Sequence, residues 1–410
     1  MSQFRIGFLP LVDAALPIVA HEMGLAGKEG VDLTLIKDRT WATVRDRLAY
    51  GQTDAAHLVA PVAIAMALGL DRAPTPIGAP FMLGLNGNAI AVSNVLAEAL
   101  GARAGSGAGT GVGLDMDVRT VGERLTAIAK AQLSMGRRLR IAVVHRYSSH
   151  NYMLRYWLAA CGCDPDFDVE IVVVAPPLIA DAFAAGEIDA SVVGEPWNSL
   201  AVERGDGVII SSTSRIWTRG VEKLLAFRSE LLEERRPDVE ALLRALYAAG
   251  QVAMDPAHTD MVAQLLAREE YIGLPKAVIA RAITGQMICR RGEAPVKVED
   301  FLVLHGEAAN FPWRSQAMWL YSQMARWGHA RPTQEGFDAA AAVFRPDVYR
   351  SAFAGTGAVL PGASLKVEGA ISTPLGAGSH GGRLVMGPDA FFDGRLFDPD
   401  HPFEYLAEDR

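Results

Sequence analysis

The stretch that decides the fold reads KDRTWATVRDRLAYGQTDAAH and covers residues 37–57. Thr40 is a residue type that caps helix N-termini, so the pattern predicts a helix that begins at Trp41. Val44 and Leu48 lie four positions apart and are expected to face the core. A glycine turn ends the helix, and a second buried strand follows. The stretch therefore predicts a strand–helix–strand unit with an aromatic side chain at a helix N-terminus.

Trp41 has two interpretations at this point. Backbone N–H groups and the positive end of the helix dipole point out of a helix N-terminus, which suits a small anion beside the indole. Alternatively, the indole packs in a groove between domains and contacts no ligand. The stretch alone leaves both interpretations open.

Strands and helices alternate on both sides of this stretch. In the first 90 residues, with Asp13 as the expected cap of the first helix, the pattern predicts helices at 14–24 and 61–69 and strands at 4–10, 31–36 and 54–59. A second block repeats the alternation, with strands predicted at 141–144, 169–174 and 190–193 and helices at 118–135, 152–160 and 179–185. Such βαβ units indicate parallel sheets that are buried on both faces.

The remaining chain has a different character. Strands are predicted at 208–211 and 221–227, followed by long helices at 237–254, 259–270, 275–285, 298–309 and 313–327. Residues 355–410 are rich in glycine and proline and are expected to form an extended arm. The glycine-rich loop 101–113 lacks the strand and helix context of a nucleotide site and is predicted to be a flexible surface excursion.

The chain is expected to cross twice between two α/β lobes, near residues 88–92 and 194–222. The predicted first lobe combines residues 1–90 with 196–345, the second covers 91–195, and the C-terminal arm covers 346–410. In such an architecture, ligands bind in the cleft at the carboxyl ends of the strands.

Composition excludes several classes of protein. The net charge is −8 without a basic run, so direct nucleic-acid binding is not expected. No apolar stretch reaches membrane-spanning length, so membrane insertion is not expected either. Three sparse cysteines, Cys161, Cys163 and Cys289, indicate neither a disulfide framework nor a metal site. The first residues lack a signal peptide, so the protein is expected in the cytoplasm if Met1 is the natural start.

Seven motifs in order carry a resemblance over nearly the whole chain: GFLPLVDAA (7–15), TWATVRD (40–46), DAAH (54–57), LNGN (85–88), LRYWL (154–158), GEPW (194–197) and FFDGR (391–395). Together they resemble the nitrate- and bicarbonate-binding (NrtA- and CmpA-like) family of solute-binding proteins. The resemblance implies a two-lobed type II periplasmic-binding-protein fold, α/β in class, with a helical C-terminal region and an extended C-terminal arm.

The same family has a cytoplasmic branch of nitrate/nitrite sensors, the NasS type. That branch is implied to hold an antiterminator-type RNA-binding regulator (NasT type) and to release it when the anion binds. The sensor is the leading functional interpretation, and an ABC-transporter solute-binding protein for nitrate or bicarbonate is the alternative. An enzyme is not expected, because no nucleophile–base pair or spaced carboxylate pair is present.

The resemblance also implies the ligand-binding residues, with no catalytic residue, metal or cofactor. It assigns Trp41, Asn88, His150 and Lys223 to the anion; the family has a longer amide at Asn88, which leaves that contact open. In bicarbonate binders a carboxylate used with calcium stands at the lysine position, so Lys223 favours nitrate or nitrite. Residues placed at the cleft wall are His57, Gly87, Glu195, Pro196 and Trp197.

Elementary chemistry agrees with that set. Nitrate is a planar, weakly basic monovalent anion, so a buried site needs hydrogen-bond donors and a compensating charge. Lys223 supplies a charge and three donors. His150 is expected to supply an N–H near the start of a helix capped by Ser148 or Ser149. The indole of Trp41 can either donate its N–H or stack on the anion.

Overall fold

The structure is a computed structural model that describes residues 1–101, 113–114, 116–380 and 382–408. Residues 102–112, which hold nearly all of the predicted glycine-rich loop, lie outside the described residues. The strands in chain order are β1 (Ser2–Phe8), β2 (Val31–Lys37), β3 (Ala55–Val59), β4 (Ile77–Asn86), β5 (Asn88–Ser93), β6 (Leu139–Val143), β7 (Val169–Val173), β8 (Ala190–Gly194), β9 (Gly207–Ser212), β10 (Val221–Arg228), β11 (Gln286–Met287), β12 (Val296–Lys297), β13 (Leu302–Val303), β14 (Leu360–Pro361), β15 (Leu375–Ala377), β16 (Ser379–His380) and β17 (Leu384–Met386).

Helices cover both sheets and build most of the region after β10. In chain order they are α1 (Ala15–Glu22), α2 (Leu25–Lys28), α3 (Trp41–Ala49), α4 (Ala60–Leu68), α5 (Asn94–Ala99), α6 (Val118–Ser134), α7 (Ser149–Ala160), α8 (Ile179–Ala184), α9 (Trp197–Arg204), α10 (Ser229–Glu234), α11 (Arg236–Met254), α12 (Thr259–Leu266), α13 (Lys276–Thr284), α14 (Arg314–Arg326), α15 (Gln334–Val343), α16 (Pro346–Phe353) and α17 (Pro402–Ala407).

The two large sheets are mixed rather than parallel. The first has the order β13-β4-β10-β3-β1-β2, and the second has the order β7-β6-β8-β5-β9. The βαβ strands run parallel as predicted, since β1 is parallel to β2 and β3, and β6 is parallel to β7 and β8. The prediction of purely parallel sheets is wrong, because β10 and β5 are antiparallel to both of their neighbours. These are the strands through which the chain enters a sheet from the other one.

The chain passes from the first sheet to the second at Gly87, between β4 and β5. Gly87 has a φ of +88°, and a Cβ atom there would lie 2.9 Å from Leu302 Cδ1, so both backbone conformation and space require glycine. The return runs from β9 to β10 through residues 213–220. Strand β9 pairs with β5 and therefore lies in the second sheet. The prediction assigned it to the second segment of the first lobe, residues 196–345. The residue ranges of the two lobes and the arm stay predictions.

The opening helix forms where the sequence predicts it. Helix α3 covers Trp41–Ala49, and Thr40 caps it by accepting a hydrogen bond from the backbone N–H of Thr43 at 3.2 Å. Val44 and Leu48 are fully buried. The helix starts directly after β2, at the carboxyl end of the first sheet, which brings Trp41 to the side where the two sheets meet.

The prediction of a helix at 298–309 is wrong. Its residues Leu302 and Val303 form β13 on the edge of β4. Asp300, Glu307 and Ala308 adopt positive φ angles of 53°, 51° and 61°, which no right-handed helix contains. Pairing with the exposed edge of β4 outweighs the local helical pattern of this segment.

The C-terminal region begins with α16 and continues through the short strand pairs β14–β16 and β15–β17 to α17. Phe391 anchors it, because its ring stacks on Trp217 and Trp319 at centroid distances of 4.9 and 5.3 Å. No helix in the described part of the chain is long and apolar enough to cross a membrane.

Replacing Phe391 by alanine is expected to lower the free energy of unfolding by about 3–5 kcal/mol, because a ring buried among two tryptophans leaves a cavity. Phe167 is a matched control, since it is 58% exposed where Phe391 is 3% exposed, and Phe167→Ala is expected to cost less than about 1 kcal/mol. Urea denaturation followed by circular dichroism measures both. Equal losses would contradict the anchoring role of Phe391.

Candidate functional site

A buried lysine occupies the centre of the site. Lys223 lies on β10 and is completely buried. Its Nζ contacts Asp13 Oδ2 at 3.0 Å and Glu222 Oε1 at 2.7 Å and lies 5.3 Å from the ring centre of Trp41. Burial by itself would lower the pKa of Lys223, but attraction to the two carboxylates outweighs burial and raises that pKa. The ammonium group is therefore charged.

Glu222 lies beside Lys223 because β10 is irregular at this point. Neighbouring residues of a regular strand point to opposite faces. The pairing of β10 with β4 changes register between Val221 and Lys223 and again before Leu224, and this irregularity allows Glu222 Oε1 to accept a hydrogen bond from Lys223 Nζ. Burial would raise the pKa of Glu222, but Lys223 holds it below the ordinary value.

Asp13 is the second partner of the lysine. It lies in a short 3-10 turn before α1, and the cap residue of α1 is Ala14 without a side-chain hydrogen bond; the prediction that Asp13 caps this helix is wrong. Instead its Oδ1 lies 2.9 Å from His57 Nε2. Burial would raise the pKa of Asp13, but Lys223 and His57 hold it far below the usual range.

Trp41 and His57 form one wall of the cluster. Their ring centres are 5.4 Å apart, and both side chains are almost fully buried. The indole Nε1 of Trp41 has no hydrogen-bond partner among the described residues. A buried N–H without an acceptor is costly, so this donor is suited to an incoming acceptor.

His150 approaches from the second sheet's side, in the first turn of α7. Ser148 caps this helix by accepting from the N–H of Asn151 at 3.2 Å, which settles the predicted choice between two serines. His150 Nδ1 lies 3.5 Å from Glu222 Oε1, and its Nε2 has no partner within the described ranges. Burial lowers the pKa of His150 to about 4, so the imidazole is neutral at pH 7.

Asn88 lies at the crossing of the chain, as the first residue of β5. It is completely buried, and neither polar atom of its amide has a hydrogen-bond partner in the part of the chain that the structure describes. A Cβ atom placed on Gly194 would lie 3.4 Å from Asn88 Oδ1 and 3.2 Å from Leu11 Cδ2. The amide therefore lies beside the loop that leads into Asp13. Among the described residues, it makes no hydrogen bond to Lys223 or to the two carboxylates.

The residues predicted at the cleft wall, His57 apart, join the two sheets. Trp197 Nε1 donates to the carbonyl of Pro10 at 2.9 Å, and the N–H of Val12 donates to the carbonyl of Glu195 at 3.0 Å. Pro196 stands directly between Glu195 and Trp197, as the residue before α9.

Glu195 is also tied to the crossing itself. Its backbone N–H donates to the carbonyl of Gly87 at 3.0 Å, and its Oε2 accepts from the N–H of Ser199 at 3.1 Å, within α9. Burial raises the pKa of Glu195 to about 7. The hydrogen bond from Val12 to Glu195 thus joins the crossing at Gly87 to Asp13, the next residue along the chain and a member of the ion network.

The structure brings Trp41, His57, His150 and Lys223 into one buried network through two carboxylates that the sequence analysis did not assign, Asp13 and Glu222. Each had a local signal, since both are acidic residues inside apolar segments. Among the described residues, no group of three or more His, Cys, Asp or Glu side chains is arranged to hold a metal ion. What the network offers chemically is a set of N–H donors around one ammonium group and two carboxylates.

Comparisons with known proteins identify relatives. A model of the NMT1-like family matches residues 1–267. The nitrate/nitrite binding protein NrtA of Synechococcus elongatus is 29% identical over 98% of this chain and 84% of its own length. The nitrate import ATP-binding protein NrtC of Synechocystis sp. is 28% identical, and the chain spans only 54% of that relative's length.

The crystal structure of the periplasmic nitrate-binding protein NrtA from Synechocystis PCC 6803 matches with a TM-score of 0.85 at 24% identity, covering 100% of this chain and 99% of that one. This match confirms the predicted type II periplasmic-binding-protein fold. The names of these relatives describe binding and transport proteins, which supports the prediction that the chain is not an enzyme.

Acid is expected to destabilise the protein through His150. The ordinary pKa of histidine is about 6.5, and burial lowers the pKa of His150 to about 4. Between these values the unfolded chain binds a proton that the folded chain does not, so stability falls as pH falls from about 6.5 to 4. His145 and His329, whose pKa values burial also lowers to about 4, act in the same direction.

His150→Asn is therefore expected to reduce the loss of unfolding free energy between pH 7 and pH 5 by about 2 kcal/mol. Urea denaturation at the two pH values measures this difference. The same substitution at the exposed His21 serves as the control and leaves the loss unchanged. An unchanged loss in His150→Asn would contradict a neutral, buried imidazole.

Proposed function

The chain belongs to the NMT1-like family, and from this premise we propose that it binds a small monovalent oxyanion, nitrate or nitrite, between its two sheets. The observation that carries the proposal is the buried ammonium group of Lys223 near Trp41 and His150, two rings with a nitrogen that has no hydrogen-bond partner among the described residues. The names of the NrtA relatives support the same ligand. The donors come from the first sheet and from α7 on the second, so one anion contacts both.

The charges of the network limit the ligand. Asp13 and Glu222 together more than offset the positive charge of Lys223, so a dianion would add two uncompensated charges to a buried site. A monovalent planar anion adds one charge and offers acceptor oxygens in a plane, three in nitrate and two in nitrite. This chemistry favours nitrate and nitrite over sulfate, phosphate or carbonate.

Bicarbonate is the other ligand that the family resemblance raises. Its binders are implied to use a carboxylate with calcium where this chain has Lys223. Here the ammonium group lies within 3.0 Å of both carboxylates, in the position a divalent cation would need. Lys223 therefore favours a metal-free site for nitrate or nitrite.

We further propose that the protein is a cytoplasmic sensor whose anion-bound form releases an antiterminator-type RNA-binding regulator of the NasT type. The support is mechanical. The site is buried where the two sheets meet, so an anion enters only when they separate. Separation breaks the hydrogen bond from Trp197 to the carbonyl of Pro10, among others. Binding that favours one arrangement changes the surface available to a partner. The alternative, an ABC-transporter solute-binding protein, uses the same closure.

Titration calorimetry is expected to show binding of nitrate and nitrite, with no binding in Lys223→Met. Trp41→Phe keeps an aromatic ring at this position but removes the indole N–H. The lost hydrogen bond to a charged ligand is expected to lower affinity about tenfold. Trp217→Phe is the matched control, since Trp217 is equally buried with an Nε1 that likewise lacks a partner in the described ranges, but lies in the aromatic cluster around Phe391. Calcium-dependent bicarbonate binding without a response to nitrate would overturn the ligand assignment.

The regulatory role predicts a complex that the anion dissolves. Gel filtration of the protein with the antiterminator-type regulator encoded by the same genome is expected to give a joint peak that separates when nitrate is added. Trp41→Phe should need about tenfold more nitrate for this separation, because its affinity is lower. A joint peak indifferent to nitrate, or no joint peak, contradicts the sensor role and leaves the transporter alternative.

A further inference from the structure

The buried network carries more negative than positive charge. Asp13 and Glu222 are both carboxylates, and within the described ranges Lys223 is the one ammonium group that contacts them. His57 and His150 complete the network, and His150 is neutral at pH 7 because burial lowers its pKa to about 4, so the two carboxylates outnumber the ammonium group. All five side chains are at most 2% exposed, so solvent screens these charges poorly.

A monovalent anion would add one more negative charge at the same place. Taking an unpaired charge out of water is strongly unfavourable, and proteins avoid it by changing the protonation state of a nearby group. The proposed ligand does not provide that proton, since nitrate is too weak a base to hold one at neutral pH. One of the network's own side chains is then the acceptor.

His150 is the side chain best placed to take the proton. The charged groups that face it are Glu222 and Lys223 from β10 and Asp13 from the turn before α1. Its Nδ1 is 3.5 Å from Glu222 Oε1, and its Nε2 has no partner within the described part of the chain. A protonated imidazole would point one N–H at Glu222 and the other at the anion.

His57 is less suited to this role. Its Nε2 already lies 2.9 Å from Asp13 Oδ1, and Asp13 is also neutralised by Lys223 at 3.0 Å. Glu222 shares the same ammonium group, but its second neighbour, His150, is neutral without ligand. Glu222 is therefore the carboxylate that faces a neutral imidazole, at 3.5 Å from His150 Nδ1.

We propose that the anion enters this site together with one proton, which His150 holds, and that Glu222 is the residue that makes the proton necessary. The inference rests on the proposed function. The proton comes from solvent and is returned when the anion leaves, and no covalent bond of the anion changes. The species taken up is thus the anion plus one proton, with no net charge added to the buried network.

Titration calorimetry with sodium nitrate tests this directly. At about pH 7, titrations in Bis-Tris and in Tris, two cationic buffers of different ionisation enthalpy, should give observed enthalpies whose difference corresponds to about one proton taken up per anion. The affinity should fall about tenfold per pH unit between about pH 6 and 8. Equal enthalpies in both buffers together with a flat affinity would overturn the proposal while leaving nitrate binding intact.

Two variants assign the proton within the protein. Glu222→Gln removes the excess charge, so nitrate should still bind, with proton uptake near zero and little pH dependence. His145→Asn is the matched control, because His145 is a half-buried histidine with a lowered pKa outside the network, and it should keep the full uptake. Uptake that persists in Glu222→Gln, or is lost in His145→Asn, overturns the assignment. If the wild-type protein binds no nitrate, the proposed function fails and this proposal with it.

Discussion

The structure depends on keeping one ammonium group charged inside the protein. Lys223 has no exposed surface, and an isolated buried charge would unfold or neutralise the site. Two carboxylates meet this requirement from different parts of the chain, Asp13 from the turn before α1 and Glu222 from the irregular part of β10. The turn before α1, strand β3 and strand β10 are therefore fixed relative to one another, because displacing any of them would break a contact of the ion network.

The same lysine links the two sheets. Glu222 faces His150 on α7, and Asp13 follows the loop whose Val12 N–H donates to Glu195. Elements of both sheets thus contribute residues to the site. Separating the two sheets would therefore break contacts of the ion network.

Short-range features of this chain could be predicted from sequence. The caps at Thr40 and Ser148 and the start of α3 at Trp41 depend on a few neighbouring residues. The βαβ parts of both sheets follow from hydrophobic alternation. The fold as a whole and the residues assigned to the anion came from ordered motifs that resemble a known family, and the comparison of structures confirms that fold.

Features that depend on distant contacts could not be predicted. Glu222 precedes Lys223, and simple alternation places the two on opposite faces; only the change of register against β4 brings them together. Asp13 has the position of a helix cap, yet its oxygens face His57 and Lys223. Residues 298–309 have a helical pattern, but the free edge of β4 recruits them as β13. In each case a tertiary contact outweighs the local preference.

The two carboxylates also decide how an anion can be recognised here. They make it feasible to bury Lys223, and in doing so they cancel most of its attraction for a ligand. Long-range charge is then a weak source of affinity, and the ligand must be held by N–H groups that have no other acceptor, such as the indole of Trp41. Such donors depend on the direction and spacing of the acceptor oxygens. Under the proposed function, the site distinguishes anions by shape and total charge, and a weakly basic planar anion satisfies both conditions without a metal ion.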